Sequence, residues 1–156
     1  MSEVKLSMYK KILLAVDGSV SAQRATDHAL WLAGQTGAEV VVLYVVDTHE
    51  AFHVGIHAGN ARAEMVAEGQ QALEKAAEAA NQMGVRVSTL LVEGDPKNTL
   101  VGYAAQEKVD CLVVGSHGAG GLESALLGSV SEYCVYHAPC PVLVVRQKTD
   151  GSGAPA

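Results

Sequence analysis

The sequence predicts a single-domain α/β fold, an open and mostly parallel sheet with helices on both faces. Three observations lead there. Five runs rich in β-branched residues and Leu recur along the chain, helical stretches fall between them, and 156 residues suffice for about one domain.

The runs are 11–17 (KILLAVD), 39–46 (EVVVLYVV), 85–93 (VRVSTLLVE), 111–116 (CLVVGS) and 141–146 (PVLVVR). Most are continuously apolar rather than alternating, the pattern of strands covered on both faces. Composition agrees, because 49% of residues are hydrophobic and only 4% aromatic, which leaves Val, Leu, Ile and Ala to build the core. Residues 20–34 place Ala22, Ala25, Ala29, Leu32 and Ala33 at helical spacing, and Trp31 is expected to join the core. The stretch 60–84 is rich in Ala, Glu and Gln and stops at Gly84, a natural residue for the position after a helix end. The stretch 95–108 opens with Asp95 as N-cap and Pro96 in the first helical position. A last helix is expected in VSEYCVYHA, residues 130–138. Such alternation argues for right-handed crossovers between parallel strands.

No internal repeat or domain boundary interrupts the chain. One domain is expected over 9–147, with tails 1–8 and 148–156 read as disordered. One connection, 47–60, is long and without clear periodicity. His49, His53 and His57 would align within it on a helix, but Gly55 and Gly59 weaken one there. Solvated loop histidines are expected rather than a metal site.

A formal charge of −6, with no basic cluster longer than Lys10-Lys11, argues against a nucleic-acid partner. The N-terminus has no apolar targeting core, and no run of about 18 uncharged apolar residues occurs. The expectation is a cytoplasmic protein with no membrane partner. The three cysteines lack CxxC spacing, so neither a disulfide framework nor a zinc knuckle is indicated. Cys111 and Cys140 border apolar runs and are expected to be buried thiols.

The chemistry concentrates in VVGSHGAGGLESALLGSVSEYC, residues 113–134, which carries five glycines. It fails the P-loop pattern, because Gly121 stands where GxxxxGK[ST] requires Lys after Gly120. It fails the dinucleotide fingerprint, because Glu123 replaces the last glycine of GxGxxG. What remains is Gly115-x2-Gly118-x9-Gly128-Ser129. Gly115 and Gly118 follow the fourth strand, at the carboxyl ends where open α/β sheets bind ligands. Ser129, Val130 and Ser131 would offer free N–H groups at a helix start, a ready anion site. A competing reading makes Ser129-x-x-Glu132 a capping box that satisfies the helix without a ligand. Asp17-Gly18-Ser19 likewise reads either as a ligand-facing turn or as a tight turn in which Ser19 caps the first helix.

Taken together, KILLAVDGS, LYVVD, GDP, DCLVVGSHG and LLGSVSEYCVYHAPCPVLVVR resemble the universal stress protein family over nearly the whole chain. The resemblance implies an adenine nucleotide alpha hydrolase-like sheet of order 3-2-1-4-5, a homodimer through strand 141–146, and ATP where strands 1 and 4 diverge. Asp17 would contact ribose or a phosphate-bound metal and water, with Ala15 beside it in the wall. Val45 would read the adenine edge through its backbone, and Val114 and Gly115 would flank the adenosine. Gly118 would approach ribose and phosphates, and Gly128, Ser129, Val130 and Ser131 would hold the phosphate chain. Many family members carry Arg or Lys where this chain has Ala119. Phosphate charge then falls on backbone N–H groups, a divalent cation such as Mg²⁺, and His117, which leaves ADP or AMP as alternatives to ATP.

The site offers binding groups but few catalytic ones, since it has no P-loop Lys and no paired carboxylates. A dimeric nucleotide-binding sensor or switch of the stress response is expected. A dimeric interaction module with weak nucleotide binding, or a slow ATPase, is the alternative.

Overall fold

The computed structural model describes residues 7–49, 58–117 and 126–147. Nine elements alternate among the described residues. They are β1 (Lys11–Ala15), α1 (Val20–Thr36), β2 (Glu39–Asp47), α2 (Ala58–Gln82), β3 (Val87–Gly94), α3 (Pro96–Gln106), β4 (Cys111–Gly115), α4 (Ser129–His137) and β5 (Val142–Val145). The five strands form one parallel sheet of order β3-β2-β1-β4-β5. The expected fold class and strand order therefore hold.

Strand alternation divides the core into two layers. Ile12, Leu14, Val40, Val42 and Val46 pack on Ala25, Ala29, Leu30 and Ala33 of α1 and on Leu73, Ala76 and Ala80 of α2. Leu13, Val41, Leu43, Leu112 and Val114 pack on Leu100 and Ala104 of α3 and on Cys134 of α4. Small alanines on α1 let that helix lie close over the middle of the sheet.

The helix ends follow local chemistry. Ser19 caps α1 by accepting the Ala22 N–H at 3.2 Å, and Asp95 caps α3 by accepting the Asn98 N–H at 3.1 Å. Gly37, at φ 76°, ends α1, with its N–H bonded to the Ala33 carbonyl at 2.8 Å. The helix thus runs past Gly34, the last residue of the expected stretch 20–34. Gly84 takes φ 69° just after α2, as its position predicted.

Two core expectations need correction. Trp31 is 61% exposed, because the buried stripe of α1 runs through Ala22, Ala25, Ala29, Leu30 and Ala33 and turns position 31 outward. Cys111 is buried but Cys140 is only half-buried, since it sits in the connection leading into the edge strand β5. The expected tails lie outside the described residues except for Ser7 and Met8. His53 and His57 also lie outside them.

Candidate functional site

The strand order reverses direction between β1 and β4, so the carboxyl ends of these two strands diverge. A cleft of about 400 Å³ opens there. Its walls bring together Ala15 and Asp17 after β1, Val45 of β2, Val114, Gly115 and His117 after β4, and Val130 and Ser131 of α4.

Asp17 leaves the sheet where β1 stops pairing. The last bond to β2 runs from the Val16 N–H to the Leu43 carbonyl at 3.1 Å. Asp17 then accepts the Ser19 N–H on Oδ1 at 2.9 Å, with Gly18 at φ 81° completing the turn. The tight-turn reading and the ligand-facing reading are thus compatible, since the turn fixes one carboxylate oxygen and leaves the exposed residue on the cleft.

Val45 offers its backbone. Glu39 donates to Lys10 and Leu43 accepts from Val16, so odd-numbered residues of β2 turn their N–H and C=O toward β1. Val45 lies two residues beyond the last of these bonds. Its N–H and C=O therefore stand on a sheet edge that β1 no longer covers, a donor–acceptor pair at fixed spacing.

Gly115 has a reason other than a ligand. A Cβ there would meet Ser21 Oγ at 2.6 Å, the Ser21 carbonyl carbon at 2.8 Å and the Ala22 nitrogen at 2.9 Å. The start of α1 packs directly on β4 at this point. The residue lines the cleft, but α1 is what excludes a side chain.

The N-cap of α4 is Gly128, which takes an extended conformation and has no side-chain cap. The capping box of the competing reading is not formed, because Ser129 is the first helical residue rather than the cap. The first intrahelical bond runs from the Glu132 N–H to the Gly128 carbonyl at 2.9 Å, so the N–H groups of Ser129, Val130 and Ser131 are the donors the helix itself does not use. Ser131 Oγ turns inward, its one hydrogen shared between the carbonyls of Ser116 at 2.9 Å and Gly128 at 3.0 Å. Gly118 lies outside the described residues. Gly128 and Ser129 stand beside the cleft without lining it.

His117 is committed within the protein. Its Nδ1 is 2.9 Å from Ser116 Oγ and its Nε2 is 2.7 Å from the Leu126 carbonyl. No group of three His, Cys, Asp or Glu side chains suited to a metal occurs among the described residues.

Several lining residues escaped the sequence reading, among them Tyr44, Met65, Pro96 and Leu100. Pro96 carried a signal, since it opens α3 at the carboxyl end of β3. Met65 carried none, because its place depends on how α2 packs. A second groove of about 520 Å³ runs between α1 and α2 on the other face, sharing Val16, Asp17, Ala22 and Tyr44 with the cleft.

Burial pushes the thiols of Cys111 and Cys134 up to about 11, and raises Cys140 as well. These groups lie in the packing beneath the site and do not line it.

Residues 8–146 match the universal stress protein family. The chain belongs to that family. Universal stress protein MJ0531 of Methanocaldococcus jannaschii is 40% identical over 146 residues, covering 90% of this chain and 84% of that protein. The solved structure of MJ0577, from the same organism, matches with a TM-score of 0.81 and 33% identity, covering 92% of this chain and 99% of that one. A universal stress protein solved in complex with cAMP matches at 29% identity and a TM-score of 0.66, covering 88% and 97% of the two chains. A universal stress protein family protein of Arabidopsis thaliana, solved with AMP bound, matches at 26% identity and a TM-score of 0.68, covering 93% and 96%. No helix among the described residues of this universal stress protein is long and apolar enough to cross a membrane.

Proposed function

We propose that the cleft between β1 and β4 binds an adenine nucleotide and that the protein acts as a nucleotide-responsive module of the stress response. The observation that carries this reading is the uncapped start of α4, whose first-turn residues Val130 and Ser131 face the same cleft as the free backbone edge of Val45. A base edge recognised by one N–H and one C=O, with an anion held at a helix start, is the chemistry of a nucleotide. The AMP and cAMP carried by the two neighbours above support the ligand class. Ala15, Asp17, Val45, Val114 and Gly115 would surround the nucleoside, with Gly118 next to its ribose. Gly128, Ser129, Val130 and Ser131 would receive the phosphates.

Mg²⁺ fits this site only as a companion of bound phosphates. Asp17 keeps one carboxylate oxygen beyond its bond to Ser19, and Mg²⁺ commonly combines one or two carboxylates with nucleotide oxygens and waters. Such an ion would offset phosphate charge. ATP, ADP and AMP are all candidate occupants, and any hydrolysis would be slow, because among the described residues lining the cleft Asp17 is the one carboxylate and no Lys or Arg is present.

We further propose that a homodimer would form through β5. This strand lies at the sheet edge, carries the apolar sequence VLVV, and leaves Leu143 37% exposed. An apolar edge favours pairing with its own copy about a twofold axis. Sedimentation of a dimer at micromolar concentration is expected, and a monomer would refute the assignment.

A second reading rests on Glu132, an acidic residue in the first turn of α4. Its field opposes phosphate, which favours a dimeric interaction module that binds nucleotide weakly. Mass spectrometry of freshly purified, denatured protein, with calorimetry against ATP, ADP and AMP, separates the two. Co-purifying nucleotide supports the first reading. Absence of binding heat for all three at millimolar concentration overturns it.

A further inference from the structure

The Ser116–His117 dipeptide, just past β4, joins segments far apart in the chain. From α1, Ser21 Oγ donates to the His117 carbonyl at 2.6 Å. From the start of α4, the Gly128 N–H and Ser131 Oγ both donate to the Ser116 carbonyl, at 2.7 and 2.9 Å. The imidazole closes the arrangement, with Nδ1 on Ser116 Oγ at 2.9 Å and Nε2 on the Leu126 carbonyl at 2.7 Å. A carbonyl only accepts, so Nε2 carries the hydrogen, and in the neutral ring Nδ1 accepts from the Ser116 hydroxyl. Ser21 and Ser116 are fully or almost fully buried, so these bonds are poorly replaced by water.

We propose that His117 is a positioning residue of the nucleotide site and not a phosphate ligand. Its ring, with both nitrogens in use, holds the Leu126 carbonyl and, through Ser116, the first turn of α4 against the end of β4. The functional consequence rests on the adenine-nucleotide reading, whereas the positioning role does not. Loosening the ring would shift the donors of Ser129, Val130 and Ser131 but leave Ala15, Leu43 and Val45 in place, because sheet pairing fixes that end.

The test uses the full chain and three variants, His117→Ala, His117→Gln and Ser116→Ala. In ligand-free protein, His117→Ala is expected to speed amide exchange at Gly128 and Glu132 by roughly tenfold, while Val42 and Leu112 keep their rates. His117→Gln, which returns a donor toward Leu126, recovers part of that protection. Ser116→Ala, which removes the Nδ1 partner alone, gives an intermediate rate and serves if His117→Ala does not fold. Calorimetry then compares adenosine with AMP. The AMP-to-adenosine affinity ratio is expected to fall several-fold in His117→Ala, with adenosine affinity within about twofold of wild type. Unchanged exchange at Gly128, or an equal loss for adenosine and AMP, overturns the proposal. Wild-type protein that binds neither ligand overturns the nucleotide reading, and Gly128 exchange still decides the role of His117.

Discussion

Replacing Gly115 with Ala is expected to destabilise the protein whether or not a nucleotide is present. The added Cβ would lie 2.6–2.9 Å from three atoms of Ser21 and Ala22, and two of the three are backbone. Rotating a side chain therefore cannot relieve the contact, and α1 has to move off β4 by several tenths of an ångström. Overpacking of this kind costs about 1–3 kcal/mol. Displacing Ser21 also weakens its 2.6 Å bond to the His117 carbonyl, a further loss of about 1 kcal/mol. At about 2–4 °C per kcal/mol for a chain of this size, the melting temperature should fall by roughly 5–15 °C. Differential scanning calorimetry measures this directly, with Gly102→Ala as the control. Gly102 lies inside α3 with no heavy atom within 4 Å of the added Cβ, so that variant should gain roughly 0.5–1 kcal/mol. A Gly115→Ala protein melting within about 2 °C of wild type would refute the claim that α1 is what excludes a side chain there.

Asp95→Ala removes the cap of α3 and should cost about 1 kcal/mol, read as a drop in the urea midpoint, while Asp95→Asn should recover most of it. Cys111 and Cys134 should react with a thiol reagent at pH 8 about a hundredfold more slowly in the native protein than after denaturation, because burial raises both to about 11 from 9.0. The same shifts favour the protonated folded state, so stability should decline as pH rises from 9.0 toward about 11. That decline should be shallower in Cys134→Ala, and an identical slope would count against burial as its cause. Glu132→Gln removes a carboxylate from the first turn of α4 and should tighten AMP binding about two- to fivefold at low salt, whereas adenosine binding should not change.

Most of the fold was legible because its signals are local. Continuous Val and Leu runs marked the five strands, and Asp95, Pro96 and Gly84 marked helix ends through their own backbone and side-chain chemistry. Pairing was not local, so the end of β1 was set two residues too late. Val16 still bonds to Leu43, but Asp17 has already turned away to hold the Ser19 N–H. Trp31 was misplaced because a stripe of alanines defines the buried face of α1 more strongly than one large side chain. In the candidate site, Asp17 after β1 and Gly115 at the end of β4 pointed to the crevice that both residues line. The parts played by Ser21 and Ser116 were not legible, since each acts on a segment about 15 to 96 residues away. Gly115 shows how a cleft-lining position can carry a different cause: its missing side chain makes room for α1.

The charges around the cleft bear on how many phosphates it can hold. From Gly115 to Ser131 the chain has no Lys or Arg, and no Lys or Arg lines the cleft among the described residues. Among the described residues the nearby carboxylates are Asp17 and Glu132, and the imidazole of His117 is occupied by Ser116 and Leu126. Phosphate binding would then fall on the first-turn N–H groups of α4, equivalent to about half a positive charge. One phosphate group placed there leaves the remainder of its charge to solvent. Each further phosphate adds negative charge near Glu132 with no side-chain cation to meet it, so the added affinity has to come from a divalent ion bound with the nucleotide. A site built this way separates AMP, which needs the helix start alone, from ATP, which needs the helix start and the metal together. Binding of ATP should therefore depend on Mg²⁺ much more strongly than binding of AMP, an asymmetry that follows from the charges around the cleft.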